Sequence, residues 1–504
     1  MSSAKNSEEN PVPTTSPTSS PIPIPSSEWP ADFVGSVIWE LKTQRPIILP
    51  LLAMNLTWFA KNAITTAFLG RLGELQLAGG ALGLTFGNVT GFSVLNGLCG
   101  AMEPICGQAN GARNFKLLQK TLIMAILLLL VTTIPITFLW LNVDKILIHF
   151  GQQEDISLVA KHYLFYLLPD LLIMSFLCPL KTYLSSQCVT IPIMLTSGLA
   201  LAFHIPINIL LSRTMGMKGV SMATWITDLL VVTLLALYVW VSENRKGGKW
   251  KEGGWLHQDL GDWLRLLKLS GPCCLSACLE WWCWEILVLL TGHLANAKQA
   301  VGVLAIVMNF DYLLFSVMLS VATSASCRVS NELGAERPSA ASRSAFVSMG
   351  LGVAFGLVGS LVMVAARGKW GALFSSDEEI VRGVKKTMLV MAVLEIVNFP
   401  LAACGGIVRG TARPWLAMYA NVGGFYLVAL PLGVFLAFKA GFGLSGLLLG
   451  FLAGLTACLM LLLIFIGRLD WGTEVVKAQQ LACKSRETGE EGESREMRQQ
   501  TVQA

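Results

Sequence analysis

Cys278-Leu279-Glu280-Trp281-Trp282-Cys283-Trp284-Glu285 lies inside an apolar run from about Leu264 to Leu290. A run of that length can cross a bilayer, which takes ~20 residues of helix. A carboxylate in hydrocarbon costs roughly 2.5–3.5 kcal/mol on insertion scales, and this run carries Glu280 and Glu285. Such groups face a bundle interior or a water-filled cavity, where they exchange protons, or they are neutral or salt-bridged packing groups. The two glutamates are separated by about 140° around a helix, so they point in different directions. One can therefore titrate in a cavity while the other pairs with a neighbouring helix. Trp281, Trp282 and Trp284 read either as an interfacial belt or as an aromatic wall for a flat ligand. Their position near the start of the span favours the belt.

Composition agrees with a membrane protein. Of 504 residues 54% are hydrophobic and 14% charged, and the mean hydropathy is +0.60, which excludes an ordinary soluble domain. The net charge of +5 is small and scattered, so nothing favours nucleic-acid binding. The 12 Cys lack metal-ligand spacing and fall mostly within spans, where a thiol behaves as a small apolar residue. No disulfide framework, cofactor or metal is expected, and the first span itself directs insertion, without a cleavable signal peptide.

Residues 1–30, rich in Ser, Pro, Thr and Asn, read as a disordered tail, which with an amphipathic lead-in, Trp29–Leu41, makes up a first segment at 1–45. Twelve spans follow, near 47–69, 77–99, 121–141, 161–180, 191–211, 220–241, 266–292, 301–322, 344–366, 387–407, 415–437 and 444–466. The fold class is therefore an all-α membrane protein, with a six-helix lobe at 46–243, a basic loop at 244–263 and a second lobe at 264–467. A disordered tail is expected at 468–504. An even number of spans puts both ends on one side. Loops on that side hold about 18 Lys and Arg against about 12 opposite, so the positive-inside rule places the termini in the cytosol. The loop carrying Arg367, Lys369, Arg382, Lys385 and Lys386 runs against that bias.

The halves repeat. Gly107-Gln108-Ala109-Asn110-Gly111-Ala112 ends the second span, and Ser330-Asn331-Glu332-Leu333-Gly334-Ala335 ends the eighth, about 223 positions later. Pro192 and Pro414 open the fifth and eleventh spans, Pro206 has a counterpart in Pro431, and Gly216-x-x-Gly219 recurs as Gly443-x-x-Gly446. Shared order and offset indicate an internal repeat rather than two sets of helices with similar Gly/Pro punctuation. A six-span unit returns the chain to its starting side, so the copies are parallel, and two such bundles rocking about a cavity form an alternating-access device.

Gly70-Arg71-Leu72-Gly73-Glu74-Leu75, Glu103-Pro104-Ile105-Cys106-Gly107-Gln108, Cys278-Leu279-Glu280-Trp281-Trp282 and Arg328-Val329-Ser330-Asn331-Glu332-Leu333-Gly334-Ala335 together resemble the multidrug and toxic compound extrusion (MATE) family, in its plant DETOXIFICATION branch. The resemblance covers about Pro46 to Ile466 and implies two six-helix lobes in a V, with export driven by inward proton or sodium flow and mostly by protons in plants. It places Glu280 on the acidic position of the plant seventh helix implicated in proton coupling, and Glu285 on a second acidic position there. Where many relatives have a tenth-helix Asp, this chain has Asn398, which cannot take up a proton. Glu395, one turn earlier, substitutes only if it faces the same cavity. The bacterial first-helix Asp has no counterpart, since Asn55, Lys61 and Asn62 occupy that span. Coupling should then depend on the C-terminal lobe, mainly on Glu280.

Other charged and polar residues in the spans have two readings each. Lys61 either snorkels or pairs with an acid, and its charge can hold a carboxylate ionised or attract an anionic substrate. Asp311 lines the cavity or caps a kink. Asp228 is a second titrating group or lies near a helix end. His204 is better read as a satisfied structural residue than as a proton exchanger. Pro206 and Pro431 are expected helix breaks, and Glu103, Arg328 and Glu332 are expected to hold loops at the membrane surface. An apolar cleft formed by Trp281, Trp282, Trp284, Phe310, Tyr312 and Asn398, with Asp311, Lys61 and Asn62, would take a small organic substrate. The expected partners are that substrate, protons and the lipid bilayer, around a monomer. Plasma, vacuolar and endosomal membranes all fit. A lipid flippase of related architecture and a non-transporting membrane scaffold are the rival classes. No Ser/His/Asp set, metal-spaced cluster or phosphate-binding loop marks an enzyme.

Overall fold

The computed structural model describes residues 33–245 and 260–482, and among them every regular element is helical. The first set is α1 (Phe33–Leu72), α2 (Glu74–Gly87), a π-helical stretch Asn88–Phe92, α3 (Ser93–Cys99), α4 (Met102–Gly111), α5 (Phe115–Leu141), α6 (Val143–His149), α7 (Glu154–Ser186), α8 (Ile191–Met215) and α9 (Met217–Arg245). The second set is α10 (Leu260–Thr291), α11 (Ala297–Gly334), α12 (Pro338–Trp370), α13 (Glu378–Gly410), α14 (Pro414–Asn421), α15 (Leu430–Val434) and α16 (Gly443–Gly467), with π-helical stretches at Val422–Ala429 and Phe435–Lys439. Among the described residues eleven helices are long and apolar enough to cross a membrane. The remaining expected span corresponds to α2, the π stretch and α3, where six glycines with Asn88 and Asn96 dilute the apolar character.

The repeat is written in the backbone. Arg113 and Glu336 adopt φ of 57° and 60°, and Cys188 and Ala412 adopt 61° and 57°. These residues close four helices with the same left-handed cap. The bonds Asn114 N–H to Ala109 O (2.8 Å) and Arg337 N–H to Glu332 O (3.0 Å) satisfy carbonyls that a helix end leaves bare, and Val189 to Leu184 (3.0 Å) and Arg413 to Val408 (3.2 Å) do likewise. Gly216 and Gly443 also share a positive φ, 62° and 54°. Their partners Gly219 and Gly446 lie so close to Leu211 and Leu436 that a Cβ would meet backbone at 2.0 and 2.7 Å.

Two separate hydrophobic cores underlie the lobes. Leu118, Trp140, Leu164 and Leu171 belong to the first, and Met388, Cys404, Phe425 and Phe451 to the second. The first helix of each set straddles both. Early in α1, Ile48 packs with Val321 and Ala403, and Asn55 Nδ2 donates to Ser320 Oγ at 2.9 Å; further along, Leu69 enters the first core. In α10, Leu266 and Cys273 belong to the first core, whereas Cys283 and Leu287 belong to the second.

Prolines sit inside several of these helices without ending them. Pro206 sits inside an uninterrupted α8, so the break expected there does not occur. Pro431 lies between two π-helical stretches. Pro50 lacks the N–H that would bond Pro46 O, and Thr190 Oγ1 donates to that carbonyl at 3.1 Å.

The lobes meet on the face that carries the start of α1 and the end of the described chain. Asn110 Nδ2 donates to Asn331 Oδ1 at 2.6 Å, and Gln108 Nε2 to Gly410 O at 3.2 Å. Arg409 pairs with Glu103 at 3.0 Å, and Arg328 pairs with Glu40 at 3.0 Å and Glu332 at 2.8 Å. Glu103 and Arg328 thus join the lobes to each other. Residues 471–482, expected to be disordered, form a helix. Its Trp471 and Val475 pack on the second core and Leu481 on the first. Glu474 pairs with Arg413, and Asn114 Nδ2 donates to Ala482 O at 2.7 Å. Small and apolar residues spaced along that short stretch bury one side of it. The expected tail at 1–30, most of the basic loop and the chain after 482 lie outside the described residues.

Gly334 tests the crossing of the lobes, because a Cβ there would lie 2.1 Å from Gln108 O. Gly334→Ala is expected to destabilise the protein by about 1–3 kcal/mol, seen as a lower Tm in detergent. Gly350→Ala, with nothing within 4 Å, should leave Tm unchanged or raise it.

Candidate functional site

Each lobe encloses ionisable side chains. In the second lobe Glu280 and Glu285 project from α10 in the different directions required by helix geometry. Glu280 is half-buried and makes no ion pair among the described residues. The cation whose charge reaches it, Arg409, is already held by Glu103. Glu285 is half-buried within electrostatic reach of Tyr312. Behind Tyr312, Asp311 on α11 and Glu395 on α13 face each other within hydrogen-bonding reach, and Asn398 contacts Glu395. Glu395 is 1% exposed and its Oε1 has no hydrogen-bond partner. Two carboxyl groups in contact away from water repel unless a proton lies between them. Asn398 is thus engaged with an acid of its own helix.

The aromatic residues divide between core and cleft. Phe310 is buried edge-on against Trp370, with ring centroids 5.0 Å apart, and Trp284 packs against Phe451 at 4.8 Å. Both belong to the packing of the second lobe and do not wall a cleft as expected. Trp281 lies half-buried against Phe315 at 5.8 Å. Trp282 is exposed and donates Nε1–H to Val89 O at 3.1 Å, a carbonyl of the π stretch in the other lobe. The three Trp lie well along α10 (Leu260–Thr291) and not near its start as expected. Tyr312 approaches Phe59 of α1 with centroids 6.3 Å apart, and joins the lobes.

In the first lobe Lys61 Nζ donates to Asp228 Oδ2 at 2.5 Å and to Thr224 O at 3.2 Å. The Lys and Asp side chains are 12% and 17% exposed, so this is a buried pair and not a snorkelling lysine. Asp170, 2% exposed, faces Asp228 with one oxygen unpartnered, and Lys181 lies within their field. Asn62, on the same helix, is half-buried and accepts through its backbone carbonyl from Thr66. His204 is fully buried. Thr227 Oγ1 donates to the carbonyls of Ala223 and Thr224, which leaves its oxygen to accept from His204 Nδ1 at 3.2 Å. His204 Nε2 takes the Asn208 amide at 3.0 Å. Both ring nitrogens are satisfied in a neutral imidazole, the structural role expected for it.

Asp170, Lys181 and Glu40 were not singled out in the sequence. The available signal was simply an ionisable residue inside an apolar run, which applies to Asp170 as much as to Asp228.

Two straddled helix sets with acids inside apolar segments define a multi-pass integral membrane protein of the two-lobe transporter type. A family model described as MatE matches residues 50–210 and 272–435. Protein DETOXIFICATION 56 of Arabidopsis thaliana is 62% identical over 454 residues, covering 90% of this chain and 92% of that protein. Protein DETOXIFICATION 51 of the same plant is 38% identical over 453 residues, covering 90% and 85%. Among solved structures, the eukaryotic MATE transporter AtDTX14 aligns with a TM-score of 0.83 at 29% identity, covering 89% of this chain and 100% of that one. The chain belongs to the MATE family of membrane transporters.

Lys61→Ala leaves Asp228 buried beside Asp170 without its cation. We expect a loss of about 3–5 kcal/mol, read as a fall in Tm. Lys61→Ala combined with Asp228→Ala should recover most of it, giving a large coupling energy in a double-mutant cycle.

Proposed function

We propose that the protein exports small organic compounds from the cytosol in exchange for protons, with Glu280 as the principal proton-carrying group. The observation that carries this reading is a half-buried carboxylate without an ion-pair partner, on the helix shared by both hydrophobic cores. A proton arriving from the non-cytosolic side neutralises Glu280 and removes the charge that favours one seating of α10 against the lobes. Substrate entering from the cytosol, with release of the proton, favours the other seating. Glu285, Asp311 and Glu395 form a second acidic group in the same lobe, and Glu395 contributes the acid that Asn398 lacks. In the first lobe Lys61 holds Asp228 in a permanent pair, which leaves proton exchange to the second. Tyr312, Trp281 and Phe59 supply apolar contact for the substrate where the lobes adjoin. One chain contains both lobes, so a monomer suffices, and the termini face the cytosol.

The test uses purified protein in proteoliposomes with an imposed pH gradient, screened against organic cations, flavonoids and carboxylates. The unmodified protein should accumulate at least one class in proportion to the gradient. Glu280→Gln should fall to the level of empty vesicles while inserting and melting normally. Full gradient-driven transport by Glu280→Gln would remove Glu280 from the mechanism. A scaffold would move none of the panel, and a flippase only a lipid-linked compound.

A further inference from the structure

The loop Gln187–Thr190 joins α7 to α8 in the first lobe and rests against α11 of the second. Asn331 Nδ2 donates to Ser186 O at 2.7 Å, and Cys327 Sγ approaches the same carbonyl at 3.6 Å. Two residues on, Cys188 takes the left-handed conformation already noted, and its thiol lies within interaction range of that of Cys327. Cys188 is half-buried, and Cys327 is 3% exposed. These two thiols therefore lie near each other across the lobe boundary, with Cys327 Sγ 3.6 Å from the carbonyl two residues before Cys188, on the face where Asn110 meets Asn331. Cys274 and Cys278 are also close, at 3.9 Å, but they share one helix, and joining them would tie nothing together.

We propose that Cys188 and Cys327 are an oxidative modification site, at which a peroxide forms a disulfide that locks the two lobes together on this face. The meaning of the lock rests on the alternating-access reading above; the bond itself does not. Cys188 lies outside the membrane crossings. Its thiol is held below the ordinary thiol range, first by its hydrogen bond with Cys327 and, against burial and the charges of Glu332 and Glu40, by the Arg328 guanidinium. A thiolate is the attacking form of cysteine. The Cys188 thiolate attacks one oxygen of hydrogen peroxide, the O–O bond breaks, and the departing hydroxide takes a proton to become water. The sulfur of Cys327 then attacks the resulting sulfenic acid and releases a second water as the S–S bond forms. Two thiols lose two electrons and two protons, and one peroxide becomes two waters. A reducing dithiol reverses the bond by exchange.

The test uses the full chain in lipid nanodiscs, with a protease site inserted between positions 246 and 259 so that the lobes can be cut apart. After hydrogen peroxide and cleavage, the unmodified protein should run as one joined species without reductant and as two fragments with dithiothreitol. Cys188→Ser and Cys327→Ser should each give two fragments under both conditions. Cys188→Ala replaces Cys188→Ser should the serine variant fail to melt like the unmodified protein. Two fragments from oxidised unmodified protein, or a joined species from the Cys188 variant, would overturn the assignment. Hydrogen exchange then reads the lock. Amides of 103–111 and 327–334 should exchange at least about tenfold more slowly after oxidation, and recover with dithiothreitol. Unchanged exchange in the cross-linked protein would overturn the lock while leaving the proposed transport untouched.

Discussion

The structure depends on one close crossing of backbones. The second helix of each repeat ends in a glycine-bearing segment, and the two ends press together with no room for a side chain. A Cβ on Gly111 would lie 2.1 Å from Asn331 O, and one on Gly107 would lie 2.0 Å from Ser330 Oγ. Small residues let helices approach until backbone dipoles and short amide side chains make the contact, which in a membrane replaces the hydrophobic drive that lipid tails cancel. The bond between Asn110 and Asn331 is a product of that approach. The pairs Glu103–Arg409 and Glu40–Arg328 surround it. Removing the glycines would push these partners apart together.

Charge is distributed unevenly between the lobes. In the first lobe Asp228 has Lys61 as its partner, and Lys181 lies in the field of both aspartates. In the second lobe no lysine pairs with Glu280, Glu285, Asp311 or Glu395 among the described residues, and Asp311 and Glu395 meet each other. A buried carboxylate with a fixed cation gains little from a proton, whereas one without a cation gains much. This contrast supports the proposal that proton exchange is carried by the second lobe.

Much of this architecture is legible in the residues. Apolar blocks of membrane length locate the spans, and the paired Gly/Pro landmarks locate the repeat because turns demand particular residue types. Lys61 announces itself as a charge needing a partner. What composition cannot convey is facing. A helix that is apolar all round carries no stripe to mark its inner side, so Phe310 and Tyr312, two positions apart, look equally suited to a cleft although one is in the core. Trp284 is misread for the same reason. The helix at 471–482 escapes notice because its buried residues include two alanines, Ala478 and Ala482, among charged neighbours.

The contact of α1 and α10 with both lobes has a mechanical consequence. The halves are interlaced, so they cannot open like the covers of a book whose spine is the segment joining residues 245 and 260. The spine is the pair of shared helices, each anchored at one end in the opposite half. Pro50 in α1 and Pro272 in α10 occupy matching places in these two rods, where a missing backbone bond lowers bending stiffness. In the proposed exchange cycle, relative movement of the halves would flex both rods at these two points together.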